Sequence, residues 1–545
     1  MIDKNRIYEN LKRLIEVPSI SGTEDEIKGA YKIRDLLMEI PYFQEHPENV
    51  KLVPLVNDPL ERSIVTAYLE RNPENPATVI LTGHYDVVDV EEYGGLKADA
   101  FDVEKISKEV GSLALDEDAQ KDLESGEWIW GRGTADMKFG HAMCLELLRY
   151  FSEEGEINGN LLYVAVCGEE TNSEGMLRAV PFFNQLSEEK GIDYKALLLT
   201  ECYTVDEKAR PDTRYIHMGA SGKIMPMFFF AGEATHGEAP FLGMDPNLLS
   251  AEVMRRLIMD IDFCQSAKGE VTPPPVCLKN QDLKTTYSVS TPMYAASYYN
   301  IISVDLDPDA AMEKLKKIAA DSFDAANAIY DERAAAYQEK YGIYPQRHKP
   351  ETSVMTFKEL SELARKNFKG DLDEEVGTLI RSCQAQKMEM QEISIRVVKR
   401  VYELAGVTHP TIVISIIPPY YPDVYPDAND PKVIELMKCL DDVIAYAKSD
   451  YDTKLEMRDY YMGLSDLSYT GLDASKNFDS LFENVVGVNQ MYSLPEDDLK
   501  KFVVPGIVMG GYGKDFHKNT ERLNRQYNFE VLPYLYIRLI QDLLK

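Results

Sequence analysis

The chain has 545 residues, too many for one ordinary hydrophobic core, so two units with their own cores are expected. Its 44% hydrophobic and 28% charged residues are those of a soluble globular chain, and its strongest apolar runs, 225–231 and 411–417, fall far short of a membrane span. With 59 basic against 91 acidic side chains the net charge is −32, which argues against nucleic acid and anionic membrane surfaces as partners. Seven scattered cysteines contain no CxxC pair, and the N-terminus lacks a long apolar stretch of the secretory kind. Reduced thiols in the cytoplasm are the expectation.

In chain order, Ile7, Leu11, Leu14 and Ile15 recur at helical spacing until Pro18 ends the run. Thr23-Glu24-Asp25-Glu26 matches a capping box, opening a helix with Ile27, Tyr31 and Leu37 on its inner side. The pattern then alternates: a strand at 79–81, a helix at 139–150, strands at 161–166 and 196–199. Continuous apolar strands between helices predict an α/β sheet covered on both faces. Beyond about Arg214 the texture changes. Strands are expected at 223–231 and 293–304, helices at 247–260 and 308–341, and a helical segment at 373–404. Past the proline-rich 418–422 the first pattern resumes, with a helix at 430–448, strands at 454–460 and 506–509, and a closing helix at 523–544. The expected fold is α/β, a mixed sheet flanked by helices and built from 1–213 and 417–545, with an α+β domain inserted at 214–416.

Five side chains of metal-ligand type follow in the order His84, Asp136, Glu170, Glu201, His517. Imidazole and carboxylate suit zinc in a catalytic site, where one position stays open. Five are too many for one such ion and enough for two if one carboxylate bridges. His84, Glu169, Glu170 and Glu201 all fall just past the carboxyl ends of apolar strands, where open α/β sheets place their ligands. Asp86, two residues from His84, is positioned to orient the imidazole. Of the pair Glu169-Glu170, one ligates and the other accepts a proton from the reacting water. Each position also has a plainer account: a loop histidine beside an acid, a helix-capping aspartate at 136, a solvated acidic turn at 169–170, a surface histidine at 517. Asp206 is an alternative to Glu201.

The conjunction of these segments resembles the M20 family of metallopeptidases and amidohydrolases. The matching stretches are Gly83-His84-Tyr85-Asp86-Val87-Val88, Gly131 through Asp136 to Gly140, Gly168-Glu169-Glu170, Thr200-Glu201, Gly513 through His517 to Glu521, and Pro18 to Glu24. Ile416 to Asp423 and Gly463-Leu464-Ser465-Asp466-Leu467-Ser468-Tyr469 are similar to its arginine-utilisation (RocB-type) branch. The resemblance implies one ion on His84, Asp136 and Glu201, and a second on Asp136, Glu170 and His517. Zinc is expected before cobalt or manganese. It further implies Glu169 as general base, Asp86 as the imidazole's partner and a cis peptide at Asp136–Met137. His236, in Ala234-Thr235-His236-Gly237, is implied as an oxyanion donor carried by the inserted lid or dimerisation domain. Where family lids carry a carboxylate-binding arginine, this chain has Tyr298-Tyr299-Asn300, and its insert is larger than usual. A homodimer and a monomer with the enlarged lid both stay open. The expected activity is hydrolysis of an amide bond in a small peptide or N-acyl amino acid. The alternatives are a deacylase rather than a peptidase, a metal-dependent phosphoesterase, and an inactive amino-acid-binding protein of the same fold.

Overall fold

Four apolar runs, Asn160–Val166, Ala77–His84, Asp193–Leu199 and Gly506–Val508, lie side by side and parallel. Every residue of Ala77–His84 and of Asn160–Val166 is buried. Such strands carry apolar side chains on both faces because helices cover both. On one flank Ser63–Leu69 and Val50–Pro54 add antiparallel. On the other, Thr213–Ala220 meets Gly506–Val508 antiparallel and pairs in parallel with Lys454–Tyr461. The result is one eight-stranded mixed sheet. Helices Lys4–Ile15, Asp25–Leu37, Phe139–Glu153, Pro431–Tyr451 and Leu532–Leu543 bury their apolar faces in its core.

This computed structural model describes residues 2–205 and 210–545. The sheet belongs to a first unit made of Met1–Ala220, Val424–Leu472 and Pro495–Lys545. A second unit comprises Ser221–Asp423 and Asp473–Leu494. Its sheet runs Val276–Asp282, Tyr294–Ser303, Pro226–Ala231, Thr411–Ile416, Val354–Thr356, with the short Gly222–Ile224 also on Tyr294–Ser303. Helices include Pro246–Leu257, the 34-residue Pro308–Tyr341, and Met390–Ala405. No helix among the described residues is long and apolar enough to cross a membrane.

Several local expectations change. The switch into the second unit falls at 220/221 rather than 213/214, because Thr213–Ala220 is a strand of the first sheet. The return falls at 423/424 rather than 416/417, and Asp473–Leu494 goes back to the second unit. The capping box at Thr23 does not form: the Glu26 carboxylate turns inward, taking the Gly22 N–H at 2.8 Å and Arg62 at 3.1 Å. The buried face of that helix is Gly29, Ala30, Ile33, Leu36 and Leu37, whereas Tyr31 is exposed. The segment 373–404 is two helices, and the closing helical run begins at Arg525, just after a short strand Arg522–Asn524, passing through a π turn Tyr527–Val531 into Leu532–Leu543.

Candidate metal centre

Parallel strands end on one edge, and three of the expected positions follow directly from that. His84 is the last residue of Ala77–His84, Glu169-Glu170 turn out beyond Val166, and Glu201 lies two residues beyond Leu199. Gly168 makes the middle turn: its φ is +70°, and a Cβ there would sit 2.3 Å from Glu174 Oε2 and 2.9 Å from Arg62 Nη1. Only glycine fits without strain. Asp136 comes from the loop ahead of helix Phe139–Glu153, across a cis Asp136–Met137 peptide. His517 comes from the loop joining Gly513–Lys514 to Arg522–Asn524.

Asp136 stands at the middle. Its Oδ1 is 3.1 Å from His84 Nε2, which is 3.6 Å from Glu201 Oε2. Its Oδ2 is 3.2 Å from His517 Nε2, which is 3.0 Å from Glu170 Oε2. Ligands about 2.0–2.1 Å from a tetrahedral zinc lie roughly 3.3 Å from one another. The two sets of edges, 3.1 and 3.6 Å, 3.2 and 3.0 Å, have that size. Glu170 Oε1 and Glu201 Oε2 are buried without a hydrogen-bond partner, as oxygens reserved for a cation would be. The residues fit two ions. Ligating atoms of Asp136, Glu201 and Cys202 also lie within 4.8 Å of one another, as do those of His84, Asp136 and Glu170. The Cys202 thiol was not foreseen.

The surrounding contacts explain how these groups are held. His84 Nδ1 lies 3.0 Å from the Asp86 carbonyl and 3.6 Å from its carboxylate, so both oxygens of this residue face the same ring nitrogen. The Asp86 carboxylate also accepts the Glu169 and Glu170 N–H groups, each at 3.2 Å, and the Ser21 hydroxyl at 2.6 Å. Glu521, fully buried, accepts the N–H groups of Ala135 and Asp136 and pairs with Arg132 at 2.6 Å. The Cys202 N–H holds Glu201 Oε1 at 3.0 Å. Asp515 braces the His517 loop by accepting Thr520 Oγ1 and Arg522 Nη1.

Burial works against the charge on Asp136, yet hydrogen bonds from His517 and His84 keep it below the usual carboxylate range. His517 is pushed up to about 10 by its bonds to Asp136 and Glu170. Burial raises Glu170 to about 7. Glu169, with Oε2 3.8 Å from His84 Nε2, is raised well above the usual range by burial, with His84 opposing and Asp466, Glu201 and Glu170 adding to it. Asp466 was also not singled out. It is buried in the turn Asp466–Thr470 and pushed up to about 8, chiefly by burial.

His236 lies in the second unit on a loop, its side chain 60% exposed and 3.6 Å from Glu238. In that unit Tyr298-Tyr299-Asn300 lie within the strand Tyr294–Ser303, with Tyr299 buried. Asp206 falls outside the described residues.

The chain matches the model of peptidase family M20/M25/M40 over residues 80–503. It is 34% identical over 545 residues to protein YqjN of Bacillus subtilis (strain 168), covering 99% of this chain and 97% of that one. To protein RocB of the same organism it is 30% identical over 535 residues, covering 96% and 92%. Among solved structures it is similar in fold to the di-peptidase Dug1p from Saccharomyces cerevisiae. That TM-score is 0.57, at 12% identity over 99% of this chain and 96% of the other.

Proposed function

This chain belongs to peptidase family M20/M25/M40 and is a metal-dependent hydrolase, and from that premise we propose that it uses two zinc ions to cleave an amide bond in a small peptide or N-acyl amino acid. The observation that carries the reading is the placement of Asp136, with one carboxylate oxygen facing His84 and the other facing His517. His84, Asp136 and Glu201 would hold one ion, and Asp136, Glu170 and His517 the other. When bound, the pair supplies Lewis acidity that polarises the scissile carbonyl and acidifies a water.

The chain's own side chains do the rest. Glu169 sits beside the ligand set without belonging to either group of three, and its backbone is fixed by Asp86. It takes a proton from the attacking water as the O–C bond forms. It returns that proton to the nitrogen as the C–N bond breaks, so the base is regenerated each cycle. His236 would donate a hydrogen bond to the carbonyl oxygen as negative charge collects there. The likeness to the di-peptidase Dug1p supports dipeptides as substrates, and the resemblance of Ile416 to Asp423 and Gly463 to Tyr469 to the arginine-utilisation branch keeps arginine derivatives among them. A deacylase acting on N-acyl amino acids is the second form of the same chemistry. The cytoplasm remains the proposed compartment, given seven free cysteines.

Metal analysis after zinc loading should find two ions per chain. Turnover should then be measured against a panel of free dipeptides and N-acyl amino acids with arginine derivatives in both classes. One ion or none on folded protein, or no turnover of either class, would end this reading.

A further inference from the structure

The turn Asp466–Thr470 follows the strand Lys454–Tyr461 in the first unit and packs against the strand Asp193–Leu199, which leads to Glu201. Asp466 is 1% exposed, and neither of its carboxylate oxygens has a hydrogen-bond partner. Among the described residues no lysine or arginine is paired with it. Its field is felt by Glu169, and the charges that act on it most are those of His84, Glu201 and Asp86. The Ser173 hydroxyl is close enough to favour its ionised form. A carboxylate shut away from water with no paired cation and only a serine hydroxyl beside it is costly, and a protein keeps one where a cation or a function compensates it. Its neighbours here are the groups that fit the ions. The adjacent Glu201 Oε2 is unmatched in the same way.

We propose that Asp466 is a further carboxylate of the metal centre, outside the two groups of three, whose negative charge strengthens binding of the ions next to His84 and Glu201. The inference rests on the two-ion reading above. Asp466 is not bonded to His84 or Glu201, so it acts across the space beside them, directly by its field or through a water held between. Replacing it with asparagine keeps its shape, removes the charge and exchanges one acceptor oxygen for an amide donor. Two effects of opposite sign follow. The protein without zinc loses only a buried acid that has no cation to pair with, and the protein with zinc loses part of what holds the ions.

The test compares full-length wild type with Asp466→Asn by chelator competition for zinc and by thermal unfolding with and without zinc. The expected result is zinc affinity at least tenfold weaker in the variant, a smaller zinc-induced rise in Tm, and a zinc-free Tm no lower than that of wild type. Zinc affinity within twofold of wild type overturns the inference. A variant that unfolds earlier without zinc, with its zinc-induced rise unchanged, also overturns it, because that marks a purely structural residue. Should Asp466→Asn not fold, Asp466→Ala leaves room for a water, and failure of both variants with zinc present counts against the proposal. Wild type that binds no zinc would instead refute the two-ion reading, a result visible before any variant is made.

Discussion

At the scale of single residues, Glu169 and Glu170 are neighbours with different surroundings. Glu170 lies 3.0 Å from His517 on the far side of Asp136, whereas Glu169 comes no closer than 3.8 Å to His84. Glu169→Gln should therefore keep both ions and the fold while turnover falls by about a hundredfold or more, the scale of general acid–base catalysis. Glu170→Gln should lose an ion. Metal analysis beside steady-state kinetics separates the two, and a Glu170→Gln protein that keeps both ions and loses only turnover reverses the roles. The pair itself was legible in the sequence, because an apolar run ending at Val166 announces a strand end and a glycine announces the turn. What Glu521 and Asp466 do, and that Asp86 also accepts the Glu169 and Glu170 N–H groups, was not. Each acts through contacts with segments distant in sequence: Glu521 accepts the N–H of Asp136 from 385 positions away. A buried carboxylate far from its partners leaves no local spacing to read.

At the scale of elements, the sheet edge is stiffened by the helix behind it. His141, in helix Phe139–Glu153, has Nε2 2.7 Å from the His84 carbonyl and Nδ1 2.7 Å from the Tyr163 hydroxyl. A neutral ring satisfies both, donating to the carbonyl and accepting from the phenol. Burial pushes this histidine down to about 3 from its ordinary 6.5. The folded value lies below the unfolded one, so His141 contributes fully above about pH 6.5 and its contribution drains away as the pH falls toward 3. The slope is up to about 1.4 kcal/mol per pH unit. His141→Gln carries a donor and an acceptor but no titrating group. Its Tm should fall less than that of wild type between pH 6 and pH 4, and an equal fall in both proteins removes His141 as a source of acid sensitivity. The element pattern was largely readable, since the continuous apolar strands could only be a covered sheet. The failures were local. The helix after Thr23 was read from a capping motif whose Glu26 is spent on Arg62 and Gly22, and the final helix was extended backward over a strand too short to show a period.

At the scale of the whole molecule, the question is whether the second unit takes part in the chemistry. Sequence texture separated the two units, but the interruption at Asp473–Leu494 had no compositional mark, because that segment packs on the second unit by pairwise contacts such as Tyr492 with Tyr420. His236 belongs to the second unit, and its side chain is 60% exposed. An exposed loop histidine contributes little to folding, so a loss of activity on its removal could not be put down to a damaged core. As an oxyanion donor it would act where charge appears in the transition state, lowering turnover far more than substrate affinity. His236→Ala should reduce kcat by about a hundredfold, the scale of one such donor, with both ions retained. Mixing inactive His236→Ala with inactive Glu169→Gln then decides which chain the histidine serves. Partial recovery on subunit exchange means that it completes the site of a second copy, which makes the dimer the working unit. No recovery despite demonstrated exchange means that it serves its own chain, and the insert replaces a partner. A fully active His236→Ala enzyme removes the residue from the reaction and leaves the first unit to carry the chemistry with its own side chains.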